Sequence, residues 1–463
     1  MLASISKLLQ EIFQLDIWIT DLLGSLRMFS VRHINEEKLS KGFGFDGSSI
    51  PGFAEVNDSD FLAIPDLKTL RAYPWEVLGK KICFVIADVY RGYSKERLPW
   101  DPRFIAQKAE MTLSKRGLTA FISPEMEFFL FNKNLETGIT ISGNGVVFRP
   151  VERKSDSIPY GIGPRDGYFQ YPPLDQLYEY RVRLMETLDK LNLYAIKSHH
   201  EVASGQIEIN IRENTPVFTA DSIQVFKFAA KNIAKEFGLN AVFMPKPVVD
   251  DDGSGMHIHL SLWRNNENLF YDPNDDYAEL SQLARYFIGG ILEHAGGLSA
   301  ILAPTINSYK RLVPGFEAPV YVCWGRKNRS ALIRVPLYHA RGEKINAKSK
   351  RIEIRFPDPS ANPYLAIAAI IFAGMDGVDR KIDPGDPIDL DVYHLRRHQL
   401  LELGIKSLPG SLKDALEMLE ADDILVKNLG RDFVERYIEL KMKEIIEYSS
   451  RITHWEYQRY FIM

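Results

Sequence analysis

Cysteine is almost missing: Cys83 and Cys323 are the only two in 463 residues. So few thiols, so far apart, supply neither a disulfide framework nor a thiolate metal centre, and they suit a reducing cytoplasm. There is no apolar run of the ~18 to 20 residues that a membrane span requires, so the chain reads as soluble. Neither sign of charge dominates, because 57 Lys and Arg face 61 Asp and Glu for a formal charge of -4. That balance gives no reason to expect nucleic acid or an anionic membrane as partner. Low-complexity tracts, internal repeats and a glycine-rich Walker loop are also lacking, so any nucleotide must be held by something other than a P-loop. The stretch from Met1 to Leu15 is apolar, but Lys7 and Glu11 interrupt it and no small-residue cleavage site follows, which argues against export.

What is present is the composition of a large folded core, 45% hydrophobic and 25% charged. Ile5, Leu8, Leu9, Ile12 and Phe13 recur at helical spacing and predict a short amphipathic helix. Ile17 to Thr20 and Arg27 to Val31 read as strands around a turn at Asp21-Leu22-Leu23-Gly24, and Cys83 to Val89 as another strand. The stretch from Lys95 to Arg103 reads as a linker, which places a domain boundary near residue 97: residues 1–97, then residues 98–463. Beyond it, helices are expected at Pro102 to Arg116, Asp175 to Leu191, Thr219 to Phe237, Ala278 to Ala295 and Pro363 to Met375. Short strands with polar alternate positions lie between them, which makes the chain α+β. The charged, helical stretch from Ser411 to Trp455 is expected to pack on the outside.

Those alternating strands carry the chemistry. In Pro124 to Leu130 the period of two puts Glu125 and Glu127 on one face. Gly205 to Arg212 turns Ile207, Ile209 and Ile211 one way and Glu208, Asn210 and Arg212 the other, and His199-His200-Glu201 adds a carboxylate just upstream. Gly253 to Ser261 reads as a strand with His257, His259 and Ser261 on one face, and Arg351 to Phe356 alternates charged with apolar residues. A polar face on one strand is commonly just solvated. Five glutamates and two histidines on one concave wall would repel unless cations were bound, and oxygen-rich ligation suits Mg²⁺ or Mn²⁺ better than zinc. Arg311, Arg326, Arg329, Arg334, Arg351 and Arg355 fall close together and fit carboxylate or phosphate, with Arg326 read as a surface ion pair.

Phe45-Asp46-Gly47-Ser48-Ser49-Ile50, Glu125 to Leu130, His199 to Glu208, Gly253 to His259, Asn307 to Pro319, Asn328-Arg329-Ser330-Ala331 with Arg334, and Arg351 to Pro359 follow one another along the chain. In this order these long motifs resemble the glutamine synthetase family, type I. The resemblance implies a small N-terminal β-grasp domain and a larger catalytic domain with a curved antiparallel sheet flanked by helices. It implies that Glu127, Glu201 and Glu208 hold one cation and Glu125, His257 and Glu353 the other. It further implies that Asp252, Gly253, Arg311, Glu317 and Arg355 position glutamate, and that His259, Ser261, Arg329, Arg334 and Lys348 hold ATP. Asp46 with Ser49 would bind and deprotonate ammonium, Glu317 would close the site on a flap, and Arg329 would touch the transferring phosphate. The expected assembly is a homo-oligomer of stacked hexameric rings, a dodecamer, with sites shared between subunits.

Three positions depart from the family's pattern. Asp252 stands where Asn is usual, Ile196 where a nucleotide-contacting Glu is common, and the residues after Tyr393 do not match those that follow a modifiable tyrosine, so Tyr393 reads as structural. A ligase for a polyamine or other organic amine would tend to lose Asp46 and Glu317, and a silent structural member would lose metal ligands. Both sets are present, so ammonia is the expected acceptor.

Overall fold

The computed structural model describes residues 11–133, 139–142, 145–148, 150–154, 160–314, 318–336 and 347–463. Its first sheet contains β1 (Gln14–Thr20), β2 (Leu26–Val31), β3 (Phe43–Asp46), β4 (Asp60–Pro65), β5 (Arg71–Ala72) and β6 (Ile82–Arg91). The order is β2-β1-β6-β4-β3, with β5 also on β6; β1 runs parallel to β6 and the other pairs are antiparallel. The expected hairpin forms because Asp21 Oδ1 accepts the N–H groups of Leu23 and Ser25, while Gly24 takes a φ of 87° that a side chain would resist. β3 is left on the edge of this sheet.

The second sheet contains β7 (Thr119–Asn132), and β8 (Ile139–Ser142) with β9 (Gly145–Phe148) forms a separate hairpin. The strands that follow are β10 (Ala195–His200), β11 (Gln206–Ile211), β12 (Leu239–Val242), β13 (Ile258–Arg264), β14 (Glu267–Asn268), β15 (Tyr321–Arg326), β16 (Ala331–Val335), β17 (Ile352–Ile354) and β18 (Lys406–Ser407). Their order is β10-β11-β7-β13-β17-β16-β15-β18, antiparallel except that β15 runs parallel to β16. Two differences from the sequence reading matter here. β13 begins only at Ile258, so Gly253 to His257 is a loop entering the strand; and the sheet is mixed where an antiparallel one was expected.

Helices form at Pro102–Ser114, Tyr178–Lys190, Pro216–Glu236, Gln282–Glu293 and Pro363–Arg380, inside or near the expected spans. The first starts where Asp101 accepts the Arg103 N–H with Pro102 at the first turn, and the fourth starts at Ser281 rather than Ala278 because that side chain caps Ala284. Ile207, Ile209 and Ile211 pack in one core with Ala220, Ile223 and Phe226 of the helix behind them. The same core reaches the first sheet: Trp18 stacks on Phe84 with centroids 4.0 Å apart and meets Phe228 at 4.7 Å. Buried Arg103, on helix Pro102–Ser114, ties the first sheet to helix Pro216–Glu236, bridging Asp66 and Asp88 on one side and Asp221 on the other.

The C-terminal stretch breaks into helices Leu412–Glu420, Asp423–Leu429 and Arg431–Ser449, which pack on the outside as expected: one face is exposed, and from the other Leu416, Leu419, Leu425, Leu429, Phe433 and Tyr437 enter the main core. The N-terminal helix expected around Ile5, Leu8 and Leu9 lies outside the described residues. Among the described residues, no helix is long and apolar enough to cross a membrane.

Candidate active site

Strand register concentrates the acids. Glu127 lies opposite Glu208 and Glu125 opposite Asn210 across β7 and β11; His199 lies opposite Glu208 across β10 and β11; and His259 and Arg334 flank Glu353 from β13 and β16. Alternate residues on these strands therefore turn toward one cavity, lined by Glu125, Glu127, His199, Glu201, Glu208, Asp252, Gly253, His257, Arg311, Arg329, Arg334, Glu353 and Arg355 among others.

Two groups of ligand atoms gather there. Glu125, His259 and Glu353 can each bring one such atom within 4.8 Å of the others, and so can His199, Glu201 and Glu208. The pairs Glu201 with Glu208 and Glu125 with Glu353 match the expected cation sets, whereas His199 and His259 take the third places. His257 lies against the first group, its Nδ1 3.1 Å from Glu125 and 3.8 Å from both Glu353 and the neighbouring Glu127. Sequence reasoning quoted His199 but assigned it nothing. The signal was its position two residues before Glu201, which puts both on one side of an extended chain.

Charge compensation is uneven across the wall. Burial, joined by the charge of Glu208, pushes Glu127 up to about 8, and burial with Glu127 and Glu208 pushes Glu201 up to about 10. Burial also works against ionising Glu353 and Glu125, but it is outweighed. Arg355 and His259 bring Glu353 down to about 2, and His259 and His257 hold Glu125 well below the usual carboxylate range. Burial, then Arg355, lowers His257. Glu353 is gripped directly, by Arg334 at 2.6 Å and Arg355 at 2.7 Å. The Glu127, Glu201 and Glu208 side thus holds crowded carboxylates, and carboxylate oxygen with imidazole is the donor chemistry that Mg²⁺ or Mn²⁺ takes. The residues fit such an ion.

Backbone supports the wall. Glu127 accepts the Gly255 N–H at 2.7 Å, and a Cβ on Gly255 would run into the Arg311 guanidinium and the His257 ring. Arg311 is buried and donates to the carbonyls of Arg355, Phe356 and Pro357, so it braces that segment while facing the cavity. Asp252 accepts two bonds from Arg165. Arg326 is exposed and 3.6 Å from Asp389, the surface pair that was expected.

Other expected site residues lie elsewhere. Asp46 and Ser49 sit at the end of edge strand β3 and do not line the cavity. Asp46 is exposed and accepts Ser48 N–H at 2.9 Å, Ser48 Oγ at 2.7 Å and Ser49 Oγ at 3.1 Å; hydrogen bonds from Ser48, then Ser49, hold its carboxyl below the usual range. Ser261 is buried on β13 and accepts from Trp263 Nε1 at 2.9 Å, and exposed Lys348 lies in the short turn Ala347–Ser349; neither lines the cavity. Glu317 falls outside the described residues. Ile196 is exposed, and Tyr393 sits in the turn Val392–His394 capped by Asp391.

Comparison with known proteins agrees with this arrangement. Residues 11–92 match the family described as glutamine synthetase, beta-Grasp domain, and residues 99–460 the one described as glutamine synthetase, catalytic domain. The chain is similar to a glutamine synthetase of Sulfolobus acidocaldarius, with 45% identity over 438 residues, 93% of this chain and 91% of that one. Among solved structures it is similar to a Plasmodium falciparum glutamine synthetase, TM-score 0.86 and 28% identity over 99% of this chain and 98% of that one. It is also similar to a GmaS/ADP complex, TM-score 0.84 and 30% identity over 100% of both chains.

Proposed function

This chain belongs to the glutamine synthetase family, and from that premise we propose that it ligates ammonia to the γ-carboxylate of L-glutamate through γ-glutamyl phosphate, with ATP converted to ADP and phosphate. The observation that carries the reading is the wall itself: two carboxylate and histidine groups beside Arg329, Arg334 and Arg355 in one cavity. A carboxylate has a poor leaving group, so it must be phosphorylated before an amine can displace it.

Two cations, Mg²⁺ or Mn²⁺, held by Glu127, Glu201 and Glu208 and by Glu125, His257 and Glu353, would neutralise phosphate charge when bound. Gly253, Arg311, Arg355 and Asp252 position glutamate. His259 and Arg334 hold ATP, with Arg329 offsetting charge on the transferring phosphate. Glu317 closes the flap, takes a proton and keeps water from the acyl phosphate. Asp46, oriented by Ser49, binds ammonium and accepts its proton.

Because Asp46 is exposed on an edge strand away from its own chain's cavity, it serves a neighbouring subunit. Exposed Trp455, Tyr457, Tyr460, Phe461 and Ile462 form a second surface in want of a partner. Both features support a homo-oligomer, in our reading a dodecamer of two hexameric rings, working in the cytoplasm, with the β-grasp domain ending near residue 97.

The test is phosphate release from ATP with glutamate and Mg²⁺ or Mn²⁺, comparing ammonium with a panel of organic amines. Ammonium-dependent release with glutamine as product is expected. Release only with an organic amine overturns the role of Asp46 and makes the chain a ligase for that amine.

A further inference from the structure

Behind the acidic wall lies a buried pair of ionisable groups that the proposed chemistry leaves unused. His200, the last residue of β10, and Glu152 are both 0% exposed. The imidazole Nε2 lies 2.7 Å from Glu152 Oε2, and its Nδ1 lies 2.7 Å from the carbonyl oxygen of Glu201. An ionised carboxylate and a carbonyl only accept, so both ring nitrogens donate and the ring is fixed at both ends. Glu152 is itself anchored: its other oxygen accepts the N–H of Gln176, just ahead of helix Tyr178–Lys190, and its carbonyl accepts the Ile162 N–H at 2.7 Å. Gly167 closes over the ring. Its N–H donates to the Val202 carbonyl at 2.9 Å, and a Cβ there would run into the Glu201 carbonyl oxygen and the His200 ring.

The carbonyl that His200 holds belongs to the peptide unit between Glu201 and Val202. That unit is planar, so the direction of its C=O fixes the direction of its N–H. The Val202 N–H donates to Glu201 Oε2 at 2.9 Å, which leaves Oε1 to face His199 Nδ1 at 3.4 Å within the group His199, Glu201 and Glu208. On the reading that Glu201 and Glu208 help to hold a cation, we propose that His200, held by Glu152, is a positioning residue: it sets the Glu201–Val202 peptide, whose N–H locks one oxygen of Glu201 and presents the other to the ion. Neither His200 nor Glu152 lines the cavity, so both act through that peptide and not on the substrate. A glutamate side chain free to rotate would lose that freedom when it ligates; the locked one has already given it up, which favours binding.

The test is Mn²⁺ binding by titration calorimetry in two backgrounds that each disable one cation: Glu353→Gln, which leaves the ion at Glu201 and Glu208, and Glu208→Gln, which leaves the ion at Glu125 and Glu353. His200→Gln reaches Glu152 from the place of Nε2 but has no donor at the place of Nδ1. Added to the first background it lowers Mn²⁺ affinity on the order of tenfold, and added to the second it changes affinity by less than about twofold. His200→Asn, with an amide N–H near the place of Nδ1, restores part of the loss. Thermal melts show whether each variant is folded; should the His200 variants not fold, Glu152→Gln, which keeps the shape of the anchor, decides by the same selective loss in smaller measure. Equal weakening in both backgrounds, or none in either, overturns the proposal while leaving the ligase reading standing. A wild-type chain that binds no Mn²⁺ sinks both.

Discussion

Glu353 is 1% exposed and lies between two guanidinium groups, with His257 and His259 close by. A carboxylate placed so is ionised before any cation arrives, which makes it a permanent donor. Glu353→Gln keeps the shape and removes the charge; activity should fall on the order of 100-fold or more, with weaker Mn²⁺ binding followed by titration calorimetry. Full activity in that variant would exclude Glu353 as a ligand. At this scale the sequence was informative wherever side chains alternate, since Glu125, Glu127 and Glu208 were legible from a period of two. Asp46 and Arg165 were not legible in the same way: one lies on an edge strand outside the cavity lining, and the other depends on a fold that carries residue 165 back to residue 252.

His294 shows what joins the elements. It sits at the joint between helices Gln282–Glu293 and Ala295–Leu302, and reaches Asp376 on helix Pro363–Arg380 at 3.0 Å and Asp422, the cap of helix Asp423–Leu429, at 2.7 Å. Arg380 also holds Asp376, at 2.9 Å. Burial would lower the imidazole, but the hydrogen bonds to Asp422 and Asp376 outweigh it and raise the group above 6.5. The folded state therefore binds the proton more tightly than the unfolded one. Its contribution is fully present below about pH 6.5 and is lost as pH rises through the higher folded value. His294→Gln should cost about 2 kcal/mol at pH 6 and progressively less at higher pH, read from denaturant melts across pH 6 to 9. A pH-independent gap between the two proteins would contradict this. A second junction is steric: a Cβ on Gly290 would collide with the backbone of Gly377, and one on Gly377 with that of Gly290 and Tyr286. Gly290→Ala should therefore destabilise by about 3 kcal/mol, against the usual gain for alanine in a helix, and a neutral or stabilising effect in urea melts would refute the close crossing.

At the scale of the whole molecule, the described C-terminal end carries Ile452, Trp455, Tyr457, Tyr460, Phe461 and Ile462 in the open, which a lone subunit has no use for. For the proposed oligomer, removing residues 451–463 should lower the assembly order in sedimentation velocity while the circular dichroism of the chain is kept, because the helices that enter the core end at Ser449. Unchanged sedimentation would place the subunit contacts elsewhere. The sequence by itself determined the mixed architecture, most of the helices, the acidic strands and the family, because each is written in local periodicity or in long contiguous motifs. Only the tertiary structure decided that Gly253 to His257 approaches as a loop, which face of the C-terminal helices meets the core, that His199 joins the acids, and that Arg165 partners Asp252. Each of these depends on which strands and loops become neighbours, a choice made by burial summed over the whole chain and not encoded in any short stretch of it.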